Sequence, residues 1–103
     1  MKVVNEKEFN DIIKSKKVVL VDFFATWCGP CRMLFPILEE VSEEANGEYE
    51  IVKVDVDESY DLAKKFGIMS VPTMIIFQDG VEAEKIIGLR SKDDIVETIK
   101  TYL

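Results

Sequence analysis

The spacing of apolar residues alternates along the chain between that of a helix and that of a strand. An apolar helix face at residues 9, 12 and 13 comes first, behind an N-cap pair of Asn5 and Glu8. Residues 18–25 are then apolar on both faces, which predicts a central strand covered by helices on each side. A long helix follows, with apolar positions 34, 37, 38, 41 and 45 on one face and Asn46-Gly47 at its end.

The rest of the chain continues this alternation and closes with a hairpin. The predicted elements are a strand at residues 51–56, a short helix ended by Gly67, a strand at residues 73–77, a turn at Asp79-Gly80, an antiparallel strand at residues 83–87 and a helix opened by Ser91. Residues 2–4 can add a short strand. The pattern predicts an α/β fold with a mixed sheet between two helical layers. With no repeat and no linker, the chain is expected to form a single domain over residues 1–103.

Composition narrows the chemistry that is available. The chain has 20 acidic and 13 basic residues, a net charge of −7 and no histidine. The acidic balance argues against nucleic acid or an anionic membrane as a partner. The absence of histidine excludes Ser-His-Asp and Cys-His nucleophiles and histidine-ligated metals. Chemistry must therefore come from carboxylates, lysines or the two cysteines.

The N-terminus and the apolar runs bear on the compartment. No signal-peptide stretch opens the chain, and the longest apolar runs, residues 18–21 and 74–77, are far too short for a membrane span. We therefore expect a cytoplasmic protein without a membrane partner. In that compartment a purely structural disulfide does not readily persist.

The sharpest local signal is Trp27-Cys28-Gly29-Pro30-Cys31, between the central strand and the next helix. A helix N-terminus offers unpaired N–H groups and a favourable dipole to a thiolate. Pro30 suits the first helical turn. We expect Cys28 to be the exposed sulfur and Cys31, one turn further along, to be shielded.

Three interpretations of the cysteine pair compete. A zinc site needs two further soft ligands, which only a second copy of the chain could supply. A structural disulfide would close a four-residue loop and remove only about 2 kcal/mol of unfolded-state entropy. A redox-active dithiol fits best, since a Cys-x-x-Cys pair near a βαβ pattern is typical of thioredoxin-like redox motifs.

Further residues support this third interpretation, because the chain resembles the thioredoxin family along nearly its whole length. The matching positions are Val21-Asp22-Phe23, Trp27 to Cys31, Pro36, Lys53-Val54-Asp55, Gly67-Ile68, Val71-Pro72-Thr73, Gly80 and Gly88. The resemblance implies a thioredoxin fold, with a central mixed sheet of four to five strands flanked by four helices, and a cis peptide before Pro72. Phe24, Ser70 and Leu89 depart from the family's usual residues and bear on packing or partner preference.

The resemblance also implies an activity. The protein is expected to be a thiol–disulfide oxidoreductase that reduces protein disulfides through Cys28 and Cys31, with no cofactor beyond that redox-active disulfide. Its expected partners are disulfide-containing client proteins and a flavin-dependent thioredoxin reductase as electron donor, and it is expected to act as a monomer. The alternative is a non-catalytic thioredoxin-fold binding or adaptor module, against which the presence of both cysteines, Asp22 and Pro72 argues.

Asp22 and Lys53 each interrupt an apolar strand. A buried carboxylate without a partner should have a raised pKa, and the resemblance favours Asp22 as general acid and base for Cys31. The alternative for Asp22 is a structurally paired carboxylate. Lys53 is either the charge partner of Asp22, which would make it a tuning residue, or an edge lysine that reaches to water.

The remaining site residues are expected to tune the disulfide or to bind clients. Gly29 and Pro30 should tune the redox pair, because no charge between the sulfurs stabilises a thiolate, which favours a reductant. Trp27 should cap the site and shield the disulfide. Val71 and Pro72 should lie beside the sulfurs and offer backbone to a client strand, and Gly88 should complete a flat apolar contact surface with Trp27, Gly29 and Pro30.

Overall fold

The computed structural model describes all 103 residues, Met1–Leu103, and has five strands and four helices. In chain order they are β1 (Lys2–Val3), α1 (Glu6–Ile12), β2 (Val18–Phe24), α2 (Gly29–Glu43), β3 (Tyr49–Asp55), α3 (Tyr60–Lys65), β4 (Thr73–Gln78), β5 (Val81–Ile87) and α4 (Lys92–Tyr102). All strands join one mixed sheet in the order β1-β3-β2-β4-β5. The optional strand near the N-terminus is present as β1.

The central strand of the sheet is β2, as its apolar run predicts. It pairs in parallel with β3 and antiparallel with β4, so its backbone groups are bonded on both sides. Val18 to Val21 and Phe23 are fully buried. Because burial of one such side chain contributes about 1.5–3 kcal/mol, this strand anchors the core.

Alternate residues of β2 point into two separate core layers. Val19, Val21 and Phe23 pack with side chains of α1 and α3 on one face of the sheet. Val18 and Leu20 pack with side chains of α2 and α4 on the other face. Helices therefore cover both faces, and the mixed-sheet prediction is confirmed.

Two strands begin two residues earlier than the sequence predicts. The third strand begins at Tyr49, two residues early, because Tyr49 and Glu50 pair with the start of β2 although both are only half-buried. β5 begins at Val81, because Asp79 and Gly80 form a two-residue turn with φ angles of 52° and 81°. That turn places Gln78 opposite Val81. Further along, Phe77 pairs with Glu82 and Ile76 with Glu84, so Ala83 has no partner on β4 and the register shifts there.

Candidate active site

The two cysteines form a disulfide at the N-terminus of α2. Cys28 is the N-cap residue, and its Sγ accepts a hydrogen bond from the backbone N–H of Cys31 at 3.1 Å. Pro30 occupies the first turn, where a missing N–H leaves no bond unmade. The carbonyl oxygen of Val71, in the loop before β4, lies 3.6 Å from Cys28 Sγ. The first turn of α2 and the loop before β4 thus meet at one sulfur.

Both cysteines are buried in this form of the protein. Cys28 is 4% exposed and Cys31 is 5% exposed, so the prediction of an exposed Cys28 beside a shielded Cys31 is wrong here. Cys28 is buried because it forms a small apolar cluster with Ala25 and Cys31. Val71, in the facing loop, packs against that cluster. Sequence position along the helix does not reveal that facing loop.

Asp22 lies in the middle of β2 with only 1% of its surface exposed. Neither carboxylate oxygen has a hydrogen-bond partner, so it is not the structurally paired carboxylate that was the alternative. Burial raises the pKa of Asp22 from 3.8 to about 7, and the positive charge of Lys53 opposes part of that rise. The predicted direction of the pKa is therefore confirmed.

Lys53 is the register partner of Asp22 on the neighbouring parallel strand, yet no ion pair joins them. Its Nζ lies 4.1 Å from the centre of the Phe24 ring and 4.4 Å from that of Phe35. Lys53 is also not an edge lysine, because β3 lies between β1 and β2. The charge of Lys53 acts on Asp22 from a distance while the ammonium stays on the two rings.

Trp27 is exposed, with 67% of its surface accessible. Its indole Nε1 donates a hydrogen bond to Asp57 Oδ2 at 2.9 Å, in the loop after β3. Trp27 also lines a surface cavity of about 310 Å³, whose rim includes the exposed Tyr60 and Met69 and the half-buried Val71. The indole thus presents an apolar surface next to the disulfide.

The loop before β4 brings the predicted Val71, Pro72 and Gly88 together. The Val71–Pro72 peptide is cis, as the family resemblance implies. Pro72 is buried, and its carbonyl oxygen accepts a hydrogen bond from the Gly88 N–H at 2.9 Å. Gly88 has a φ of 91°, a conformation that favours glycine. Gly29 is half-buried and Pro30 is exposed, so these two also border the surface.

Two site residues escaped the sequence analysis. Asp57, which orients the indole, lies two residues after the end of β3, and Trp27 lies three residues after the end of the parallel β2. The ends of neighbouring parallel strands meet at one sheet edge, and that signal could have found Asp57. Phe35, which contacts Lys53, gave no such signal, because it lies outside the apolar face of α2.

A Cys-x-x-Cys disulfide at a helix N-terminus beside a central strand defines the class of thiol–disulfide oxidoreductases. No group of three or more Cys, Asp or Glu side chains is arranged to hold a metal ion. None of the helices combines the length and the apolarity needed to cross a bilayer.

Comparison with known proteins narrows this class to one family. The thioredoxin family model matches residues 1–101. The chain is 46% identical to thioredoxin of Staphylococcus saprophyticus, over 97% of this chain and 95% of that protein, and 42% identical to thioredoxin of Staphylococcus aureus over the same shares. The chain belongs to the thioredoxin family.

Solved structures agree with this assignment. A mutant thioredoxin from Halobacterium salinarum superposes with a TM-score of 0.92 at 38% identity, covering 99% of this chain and 88% of that one. Plasmodium falciparum thioredoxin gives a TM-score of 0.90 at 35% identity, with full coverage of both chains. The fold is the thioredoxin fold. The protein is a thiol–disulfide oxidoreductase, a protein-disulfide reductase, and the catalytic interpretation holds over that of an adaptor.

Proposed function

We propose that the protein reduces client disulfides in two exchange steps and is then re-reduced by a thioredoxin reductase. In the first step the Cys28 thiolate attacks one client sulfur, the client disulfide breaks, and one client thiolate leaves. In the second step Cys31 loses its proton to Asp22 and attacks Cys28, which releases the second client thiolate and forms the Cys28–Cys31 disulfide. Two electrons pass to the client.

The observation that carries this order is the hydrogen bond from the Cys31 N–H to Cys28 Sγ. A hydrogen bond to a charged group contributes about 1.5–3 kcal/mol, and the helix dipole adds about 0.3–1 kcal/mol. Both favour negative charge on Cys28, whereas the Cys31 sulfur accepts no such bond. Cys28 is therefore the proposed nucleophile and Cys31 the resolving thiol. Cys28 is buried in the disulfide form. Its sulfur must therefore become exposed in the dithiol form before it can attack a client.

Asp22 is the proposed proton acceptor for Cys31. A general base works best when its pKa lies near the operating pH, and burial raises the pKa of Asp22 to about 7. No partner occupies either carboxylate oxygen, so both remain able to accept a proton. Lys53 is proposed to tune this carboxylate through its charge, while Gly29 and Pro30 are proposed to tune the disulfide by adding no charge beside it.

Clients are proposed to dock where apolar surface and free backbone meet. Trp27 supplies exposed apolar area beside the disulfide. The Val71 carbonyl oxygen, 3.6 Å from Cys28 Sγ, offers backbone to an extended client strand, and Pro72 and Gly88 hold the neighbouring backbone. Pairing along this loop would align a client disulfide with Cys28.

The setting of this chemistry is part of the proposal. We place the protein in the cytoplasm as a monomer of one domain, residues 1–103, with client proteins and a flavin-dependent thioredoxin reductase as its partners. It uses no cofactor beyond its own disulfide. The family membership supports this setting.

The test is reduction of a generic disulfide-bonded protein, driven first by dithiothreitol and then by NADPH with a thioredoxin reductase. The protein should accelerate reduction in both assays, and Cys28→Ser should abolish the acceleration. Activity with dithiothreitol but none with the reductase would reject the proposed electron donor. Full activity of Cys28→Ser would reject the mechanism.

A further inference from the structure

Lys53 and Asp22 are neighbours that do not pair. They are directly opposite in the register of the parallel strands β2 and β3, which lie about 4.8 Å apart, and paired residues share one face of the sheet. A lysine stem is long enough to bring its ammonium to a carboxylate at that spacing. The carboxylate is buried and has no hydrogen-bond partner. Something must hold the ammonium away from it.

The Lys53 ammonium lies over two phenylalanine rings instead. Lys53 Nζ lies 4.1 Å from the ring centre of Phe24, at the end of β2, and 4.4 Å from that of Phe35, on α2. Both distances are well inside the range of about 6 Å in which the negative face of a ring attracts a cation. Phe35 is 39% exposed and belongs to neither of the two large core clusters.

We infer that Phe35 is a positioning residue for Asp22: with Phe24, it holds the Lys53 ammonium on the rings and keeps the carboxylate unpaired. The inference rests on the proposed role of Asp22 as proton acceptor for Cys31. A carboxylate paired with an ammonium would be a weaker base and less able to take that proton. Phe35 would thus act on the resolving step without touching a sulfur.

The other groups around Asp22 do not offer the same control. Lys53 is the charged group whose field acts on this carboxylate. β4 faces it with the uncharged Met74. From α2, Cys31 is held in the disulfide, and the guanidinium of Arg32 donates to a loop carbonyl. The position of the Lys53 ammonium is therefore the variable that sets the charge near Asp22.

The experiment is a carboxyl-carbon NMR titration of Asp22 in the oxidised protein, in which the cysteines do not titrate. The chain has no histidine, and Asp22→Asn identifies the signal. Phe35→Leu removes the ring but keeps an apolar side chain, and should lower the titration midpoint of Asp22 by about one pH unit as the ammonium moves to the carboxylate. Phe35→Tyr, which keeps the ring, should leave the midpoint where it is. An unchanged or raised midpoint in Phe35→Leu would overturn the inference.

A double-mutant cycle separates the ammonium from simple hydration of the site. In a Lys53→Met background, Phe35→Leu should no longer move the midpoint of Asp22. An equal shift in both backgrounds would overturn the inference, because it would show that the ring acts by excluding water. Phe24→Leu repeats the test from the other ring and should also lower the midpoint.

A rate measurement distinguishes failure of this inference from failure of the proposed function. The pH profile of mixed-disulfide resolution should shift with the midpoint in Phe35→Leu. If the midpoint moves while the rate profile does not, the positioning of Lys53 stands and the role of Asp22 as proton acceptor falls. If neither moves, the positioning role falls.

Discussion

Asp22→Asn should make the protein more stable at neutral and alkaline pH. The carboxylate is 1% exposed, neither oxygen has a partner, and burial raises its pKa from 3.8 to about 7. Ionising it inside the folded protein therefore costs free energy that ionising it in the unfolded chain does not. Asparagine has nearly the same shape and carries no charge.

The sign and the size of the effect follow from that pKa. Between pH 3.8 and about pH 7 the folded protein binds more protons than the unfolded chain, so the free energy of unfolding falls as pH rises and levels off above about pH 7. At about 1.4 kcal/mol per unit, the whole shift corresponds to about 4 kcal/mol, of which about 2–3 kcal/mol falls between pH 5 and pH 8. Asp22→Asn should show no such fall, and at pH 8 it should be more stable by about 1–3 kcal/mol, since the amide is also buried without partners.

Urea unfolding of the oxidised protein from pH 5 to pH 9 measures this directly. The difference in free energy of unfolding between Asp22→Asn and the unmodified protein should grow with pH and then become constant. Asp55→Asn is a matched control, because Asp55 is also buried but its Oδ1 accepts hydrogen bonds from two backbone N–H groups. That control should gain no stability at pH 8. A difference that does not vary with pH, or an Asp22→Asn variant that is less stable at pH 8, would refute the reasoning.

Other residues allow shorter tests. Cys31→Ser should accumulate mixed disulfides with clients on non-reducing gels and Cys28→Ser none; equal trapping by both would contradict the order of attack. Equilibration with glutathione at cytosol-like ratios should leave the pair mostly oxidised, and a dominant dithiol would contradict a reductant. Trp27 is the only tryptophan, so Asp57→Ala, which removes the acceptor 2.9 Å from its indole nitrogen, should shift its fluorescence and slow client reduction, whereas Asp57→Asn should change both less. Gly80→Ala should lower the free energy of unfolding by about 1–2 kcal/mol in urea melts, because φ is 81° and the new Cβ would lie 2.9 Å from a lysine side chain; unaltered stability would rule out strain at the turn.

The sheet and its helices could be predicted because their signals are local. The apolar run of β2 and the turn at Asp79-Gly80 each depend on neighbours within a few residues. The start of β3 could not be predicted, since Tyr49 is strand only through its pairing with Val18 on another part of the chain. The shift at Ala83 likewise depends on how β4 and β5 align. Long-range pairing overrides local preference at these positions.

The features of the site also fall into those that could be predicted from the sequence and those that could not. The cysteines and the unusual carboxylate could be found from the sequence because each breaks a local pattern. The burial of Cys28 and the partner of Trp27 could not, since Val71 and Asp57 approach from other loops. The aromatic contacts of Lys53 are a third case, because they join three elements of the fold.

Asp22 shows how one residue that breaks an apolar pattern changes both the stability of the fold and its own basicity. A run of apolar residues on the central strand favours one more apolar side chain at that position. A carboxylate there lowers the stability of the fold increasingly from pH 3.8 to about pH 7 and by a constant amount above that. The cost is tolerable because fully buried strand neighbours such as Leu20 and Phe23 stabilise the same strand. The same burial gives the carboxylate a pKa near neutrality, which an exposed aspartate would not have. Burial of the carboxylate is therefore the single cause of both the lost stability and the raised basicity. A substitution that restores the stability should remove the basicity.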